Sequence, residues 1–201
     1  MVVPVKRLAL AKTRLSPYGD AARVALALAF AADVVETALS CSAVSQVLVV
    51  TDDPVAASLL AGLGARVEPD DPDAGLNPAL QHGADLLRAA DRNRGVATLS
   101  ADLPAARPAD LAAALEQVTT GRRAFVADAL GSGTTLLAAG TGSELQPAYG
   151  NGSRARHLAS GADELRAAEG LRRDVDTPQD LAVALRLGVG RHTAAAVAAL
   201  G

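Results

Sequence analysis

Short apolar runs alternate with longer Ala- and Leu-rich stretches through the first two thirds of the chain. Val2–Val5, Val44–Thr51, Ala65–Pro69, Val96–Pro104 and Ala124–Ala127 have the length and bounding turn residues of buried strands. Between them lie segments with helix start and stop signals. Asp20 is a candidate N-cap for a helix to about Ser40, and Asn77 for one that begins at Pro78. Pro54 and Pro108 stand where a first helical turn accepts proline. Gly62 or Gly64 closes the Pro54 helix, and the Pro108 helix runs to about Val118. Strands alternating with helices over short connections predict a parallel sheet with helices on both faces. No internal repeat, linker or low-complexity tract interrupts it, so residues 1–201 are expected to form a single domain.

The pattern changes after Asp128. Gly131-Ser132-Gly133-Thr134-Thr135 precedes the apolar Leu136–Ala139, and Tyr149-Gly150-Asn151-Gly152-Ser153 opens a short helix carrying Arg154, Arg156 and His157. Leu171–Asp176 alternates in a way that predicts a strand, with Asp174 and Asp176 on one face. Thr177-Pro178 then starts a helix, and the tail from Gly188 holds a further helix from Thr193.

Composition narrows the function. A net charge of -3 argues against nucleic-acid binding through general charge. One cysteine, Cys41, allows no intrachain disulfide and fits a cytoplasmic protein. No signal peptide is evident, and Arg23 and Asp33 bracket the apolar Ala22–Ala32 stretch too closely for a membrane span. His82, His157 and His192 have no metal-ligand spacing, so zinc is not expected. Neither a Gly-x-Ser-x-Gly elbow nor a basic setting for Cys41 points to covalent catalysis.

The strand ends carry the candidate chemistry. Val96–Pro104 delivers Asp102 at its carboxyl end, where open α/β sheets bind ligands. Asp102 is either a metal-holding carboxylate or the cap of the following turn. Lys6–Leu15 places four cations within nine residues, after the first strand. Lys6, Lys12 and Arg14 could surround a polyphosphate, or the loop could simply be solvated. Asn77 could read a base edge from a crevice rim, or only cap its helix. The two Gly-rich patches are either anion-binding turns or plain turn chemistry. If the Leu171–Asp176 segment lies near Asp102, one of its aspartates could share a divalent ion with it.

Taken in order, P-V-K-R-L-A-L-A-K-T-R-L, V-T-D-D-P, G-L-N-P-A-L, S-A-D-L-P, G-S-G-T-T-L-L, Y-G-N-G-S-R-A-R-H-L and L-R-R-D-V-D-T-P-Q-D-L resemble one family. It is the 2-phospho-L-lactate guanylyltransferases of coenzyme F(420) biosynthesis, including their phosphoenolpyruvate guanylyltransferase branch. The resemblance implies a Rossmann-like nucleotidyltransferase fold of the nucleotide-diphospho-sugar transferase type, with a mixed, mostly parallel sheet. It implies Mg2+ as the cofactor, GTP as co-substrate and a small phosphorylated acid as the other substrate, with no nucleic-acid or membrane partner; a homodimer stays open. Carried over by motif, Lys6, Lys12 and Arg14 meet the GTP phosphates, Lys12 and Arg14 acting with Asp102 in catalysis. Asn77 lies near the base or ribose. Asp102 with Asp174 or Asp176 holds the metal. Thr135, Gly150 and Ser153 hold the acid. The Ala- and Arg-rich composition resembles the high-GC bacterial branch, which favours phosphoenolpyruvate over 2-phospho-L-lactate. The reading from a different class is a non-catalytic nucleotide-binding regulator.

Overall fold

The computed structural model describes residues 1–71 and 73–200; Pro72, in the acidic loop, and Gly201 lie outside the described residues. The strands are β1 (Val2–Pro4), β2 (Leu48–Val50), β3 (Arg66–Glu68), β4 (Val96–Leu99), β5 (Arg123–Ala127), β6 (Thr134–Ala139) and β7 (Asp163–Glu164). They form one seven-stranded sheet in the order β3-β2-β1-β4-β6-β5-β7. β1 pairs in parallel with β2 and β4, and β2 with β3, whereas β6 runs antiparallel to both β4 and β5. The sheet is therefore mixed and mostly parallel. β5 and β6 are hairpin-connected, which brings the Gly131–Thr135 turn to the same sheet edge as the carboxyl ends of β1 and β4.

Strand alternation divides the core. Val3, Val49, Ala97 and Leu99 pack with α1 (Asp20–Leu39), α2 (Pro54–Gly62) and α4 (Pro108–Leu115) on one face. Val2, Leu48, Val50 and Val96 pack with α3 (Leu76–Ala90) on the other. Contact with α3 is close: a Cβ on Gly83 would stand 2.7 Å from Val2 Cγ1. The remaining helices are α5 (Ser153–Ala159), α6 (Glu169–Arg172), α7 (Pro178–Leu187) and α8 (Arg191–Ala198). Asp33 on α1 accepts the N–H groups of His192 and Thr193, both at 2.9 Å, and so fastens α8 to α1. No described helix is long and apolar enough to cross a membrane.

Three local expectations change. Gly19, at φ 89°, precedes α1, which begins at Asp20 rather than being capped by it. Gly75, at φ 101°, likewise precedes α3, so Asn77 lies inside the first turn. Leu171–Asp176 is not a strand: α6 ends at Arg172 and the chain continues irregularly. The reason is topological. Both neighbours of β4 are already β1 and β6, so a segment crossing the end of β4 finds no free edge to join.

Candidate active site

The adjacent parallel ends of β1 and β4 open onto a crevice. Beyond Pro4 the basic loop is shaped by groups outside it. Leu8 donates its N–H to Asp53 Oδ2 at 2.9 Å, while Asp53 Oδ1 caps α2 through Val55 and Ala56. Arg23, buried on α1, donates to the carbonyls of Leu8 (3.2 Å), Ala9 (3.1 Å) and Ala11. The loop wraps around this guanidinium and leaves Lys12 at φ 53°, a left-handed conformation uncommon for a side chain of this kind. Lys12 Nζ then lies 2.5 Å from Asp102 Oδ2 and 2.6 Å from Asp176 Oδ1. Arg14 stands 3.9 Å from Asp176.

Asp102 and Asp176 meet because Val175 N–H donates to the Asp102 carbonyl at 3.0 Å. Fully buried Val175 anchors this contact. Thr177 and Asp180 form a capping box at α7, and Asp180 also accepts the N–H of Asp176 at 3.3 Å. Upstream, Thr135 Oγ1 donates to Leu171 at 2.6 Å, and Arg172 donates to the carbonyls of Ala127 and Asp128. The aspartate-bearing segment is thus docked at both ends.

Negative charge here exceeds what Lys12 balances. Burial opposes the Lys12 charge, yet Asp102 and Asp176 outweigh it and hold the ammonium above the usual lysine value. Burial, then the proximity of Asp102 and Asp176, pushes Asp174 up to about 6. Asp102 Oδ1 is buried with no hydrogen-bond partner among the described residues. An all-oxygen donor set with an orphaned carboxylate oxygen fits a hard divalent cation such as magnesium. The crevice beside it encloses ≈ 390 Å3, with Lys6, Lys12, Arg14, Asp102 and Asp176 in its lining. A second cavity of ≈ 290 Å3 shares Pro4, Val5, Lys6, Leu10 and Leu76 with it and extends towards Asp52 and Asp70.

Lys6, Lys12, Arg14, Asp102 and Asp176 therefore line one cavity, with Asp174 next to the carboxylates. Other expected site residues are placed differently. The Thr135 hydroxyl is buried and committed to Leu171. Ser153 Oγ donates to Thr134 Oγ1 at 3.1 Å, and Thr134 pairs with His157 Nδ1 at 2.9 Å. Gly150 and Gly152 turn the chain at φ 117° and 71°. Arg154 is bound to the Glu164 carboxylate, and Arg156 to the carbonyls of Ala148 and Asn151, so both guanidiniums are engaged within the protein. Asn77 does not present its amide to the crevice: Oδ1 accepts from Tyr149 N–H at 2.7 Å and Nδ2 donates to Tyr149 O at 3.2 Å.

Arg23 and Val175 escape a reading of the sequence. A lone arginine on the buried stretch of an apolar helix is the signal that exposes the first, since such a charge needs several acceptors. Nothing local marks the second.

Comparison with known proteins shows the family. A family model described as "Guanylyl transferase CofC like" matches residues 1–201. A phosphoenolpyruvate guanylyltransferase of Thermomonospora curvata is 59% identical over 201 residues, covering 98% of this chain and 88% of the relative. One from Streptomyces coelicolor is 57% identical over 203 residues, covering 100% and 96%. Among solved structures, a nucleotidyl transferase from Methanothermobacter thermautotroptrophicus has a TM-score of 0.62 at 22% identity, covering 93% of this chain and 97% of that one. That likeness shows the nucleotidyltransferase fold. With a family match running the whole length and relatives that share more than half their residues with it, the chain belongs to the CofC-like guanylyltransferase family.

Proposed function

We propose that this enzyme transfers GMP from GTP to the phosphate of phosphoenolpyruvate, releasing pyrophosphate, in coenzyme F(420) biosynthesis. The observation that carries the catalytic part is the convergence of Lys12, Asp102 and Asp176 at one wall of the crevice. The acid is taken from the relatives that share more than half their residues with this chain.

A phosphate oxygen of the acid attacks the α-phosphorus of GTP. The new oxygen–phosphorus bond forms as the bond to the β-phosphate bridging oxygen breaks, and the electron pair leaves with pyrophosphate. The nucleophile is already an anion, so no general base is needed. Catalysis is positioning and charge neutralisation. Asp102 and Asp176 would hold magnesium, with Asp174 beside them. Bound there, the metal supplies charge neutralisation and orientation for phosphate oxygens. Lys12, hydrogen-bonded to both carboxylates, would meet the GTP phosphates from the same wall, and Lys6 and Arg14 would bind the departing pyrophosphate. The acid would sit against the Gly150–Ser153 turn and the Thr135 end of β6, met by backbone rather than by the Ser153 and Thr135 hydroxyls, which are committed to Thr134 and Leu171.

Pyrophosphate release is measured with magnesium and GTP, adding phosphoenolpyruvate, 2-phospho-L-lactate or 3-phosphoglycerate in turn. Release with phosphoenolpyruvate alone is expected. Release only with 2-phospho-L-lactate reassigns the acid, and none with any acid refutes catalysis as proposed.

A further inference from the structure

Ala148 and Tyr149 belong to no helix or strand, yet side chains take all four of their backbone polar groups. Ala148 N–H donates to His157 Nε2 at 3.1 Å, and its carbonyl accepts from Arg156 Nε at 3.0 Å. Tyr149 gives its N–H to Asn77 Oδ1 and receives Asn77 Nδ2 on its carbonyl. Only one orientation of the Asn77 amide satisfies both groups. The Tyr149 hydroxyl pairs with Thr98 Oγ1 at 2.7 Å, and its ring stands edge-on to His157 with centroids 5.5 Å apart. Irregular backbone is usually left to water or to neighbouring backbone. Here it is immobilised immediately before Gly150–Ser153.

We propose that Asn77 is a positioning residue for the acid substrate: its carboxamide clips Tyr149 and so fixes Gly150–Ser153 in a binding geometry. The inference rests on the assignment of Gly150 and Ser153 to the acid. It departs from the base-reading role expected for Asn77, because one donor and one acceptor site of the amide hold Tyr149 and fix its orientation. It also ties the two substrates together mechanically. Asn77 lies in the first turn of α3, next to Leu76, which lines the nucleotide cavity, and the residue it holds is 72 positions away. Loops held in one conformation before binding avoid the ordering cost that otherwise weakens affinity. Asparagine suits the task chemically. Alanine supplies neither group, and aspartate keeps the acceptor but sets an anion against the Tyr149 carbonyl.

The test uses the full chain with Asn77→Ala, and Asn77→Asp as a second variant in case the first folds poorly. Hydrogen exchange of amides 148–153 should accelerate about tenfold or more, while β4 and the rest of α3 stay protected. The KM for phosphoenolpyruvate should rise about tenfold, with the KM for GTP within about twofold of wild type. Unchanged exchange overturns the clip. An equal rise in both KM values returns Asn77 to the nucleotide, and a lowered melting temperature with unchanged kinetics reduces it to a structural contact; either overturns the proposal. Wild type inactive with every acid would instead refute the catalytic reading. In that case calorimetric binding of phosphoenolpyruvate to wild type and variant decides the clip, equal affinity or no binding to either overturning it.

Discussion

Asp102 is held by two opposing demands. Its Oδ2 is paired with Lys12, but its Oδ1 is buried without a partner and two further aspartates stand close. An arrangement of like charges serves function more than stability. Asp102→Asn is therefore expected to lower pyrophosphate release by at least about 100-fold while leaving the melting temperature unchanged or raised. A fall of many degrees would show that the carboxylate is structural. Lys12→Met is expected to do the opposite for stability. It removes the cation between Asp102 and Asp176 and leaves both uncompensated, so the melting temperature drops, and added magnesium restores it more than it shifts wild type. Equal magnesium shifts in the two proteins would separate Lys12 from the metal position.

At the scale of elements, the site is held together by side chains that dock one segment of backbone onto another. The 3-10 turn Leu8–Leu10 is folded around Arg23 of α1, which is one guanidinium with three carbonyl acceptors. Lysine cannot reproduce that fork. Arg23→Lys should raise the KM for GTP about tenfold, with less effect on the acid, because the loop bearing Lys12 loses its mould; equal KM values in variant and wild type would contradict this. α6 is similarly docked through the Thr135 hydroxyl on Leu171. Thr135→Val keeps the shape and removes that bond, leaving a buried carbonyl unpaired. Its expected cost is about 1–3 kcal/mol in urea unfolding, with slower turnover as Asp176 shifts. Full stability would mean that the hydroxyl does not dock α6.

At the scale of the whole molecule, His157 is a buried titratable group that reports on folding. His157 is fully buried, and Nε2 accepts the Ala148 N–H. Burial, then Arg156 and Arg123, lowers its pKa from 6.5 to about 4. Between those values the unfolded chain binds a proton that the folded one refuses. Stability should thus fall as pH drops from about 6.5 to about 4 and flatten, for this group, below that. Comparing urea midpoints of wild type and His157→Gln across this range isolates the contribution; parallel curves would show that His157 does not titrate on unfolding. Much of this architecture is legible in the sequence, because its signals are local. Apolar runs of strand length, prolines at the first turns of α2 and α4, and the Thr177-Pro178 start of α7 each act within a few residues. So does the delivery of Lys6 and Asp102 at strand ends, which places them at the crevice once the sheet is parallel there. Partner choice is not local. Lys12 meets aspartates 90 and 164 residues away, and Asn77 clips a loop 72 residues on, only because β6 inserts between β4 and β5 and occupies the edge that Leu171–Asp176 would otherwise extend. The sequence by itself determined most of the strand–helix order and the delivery of Lys6 and Asp102 at strand ends that face the crevice. Strand order in three dimensions decided which side chains touch, since that order follows from packing of the whole sheet rather than from any short stretch of chain.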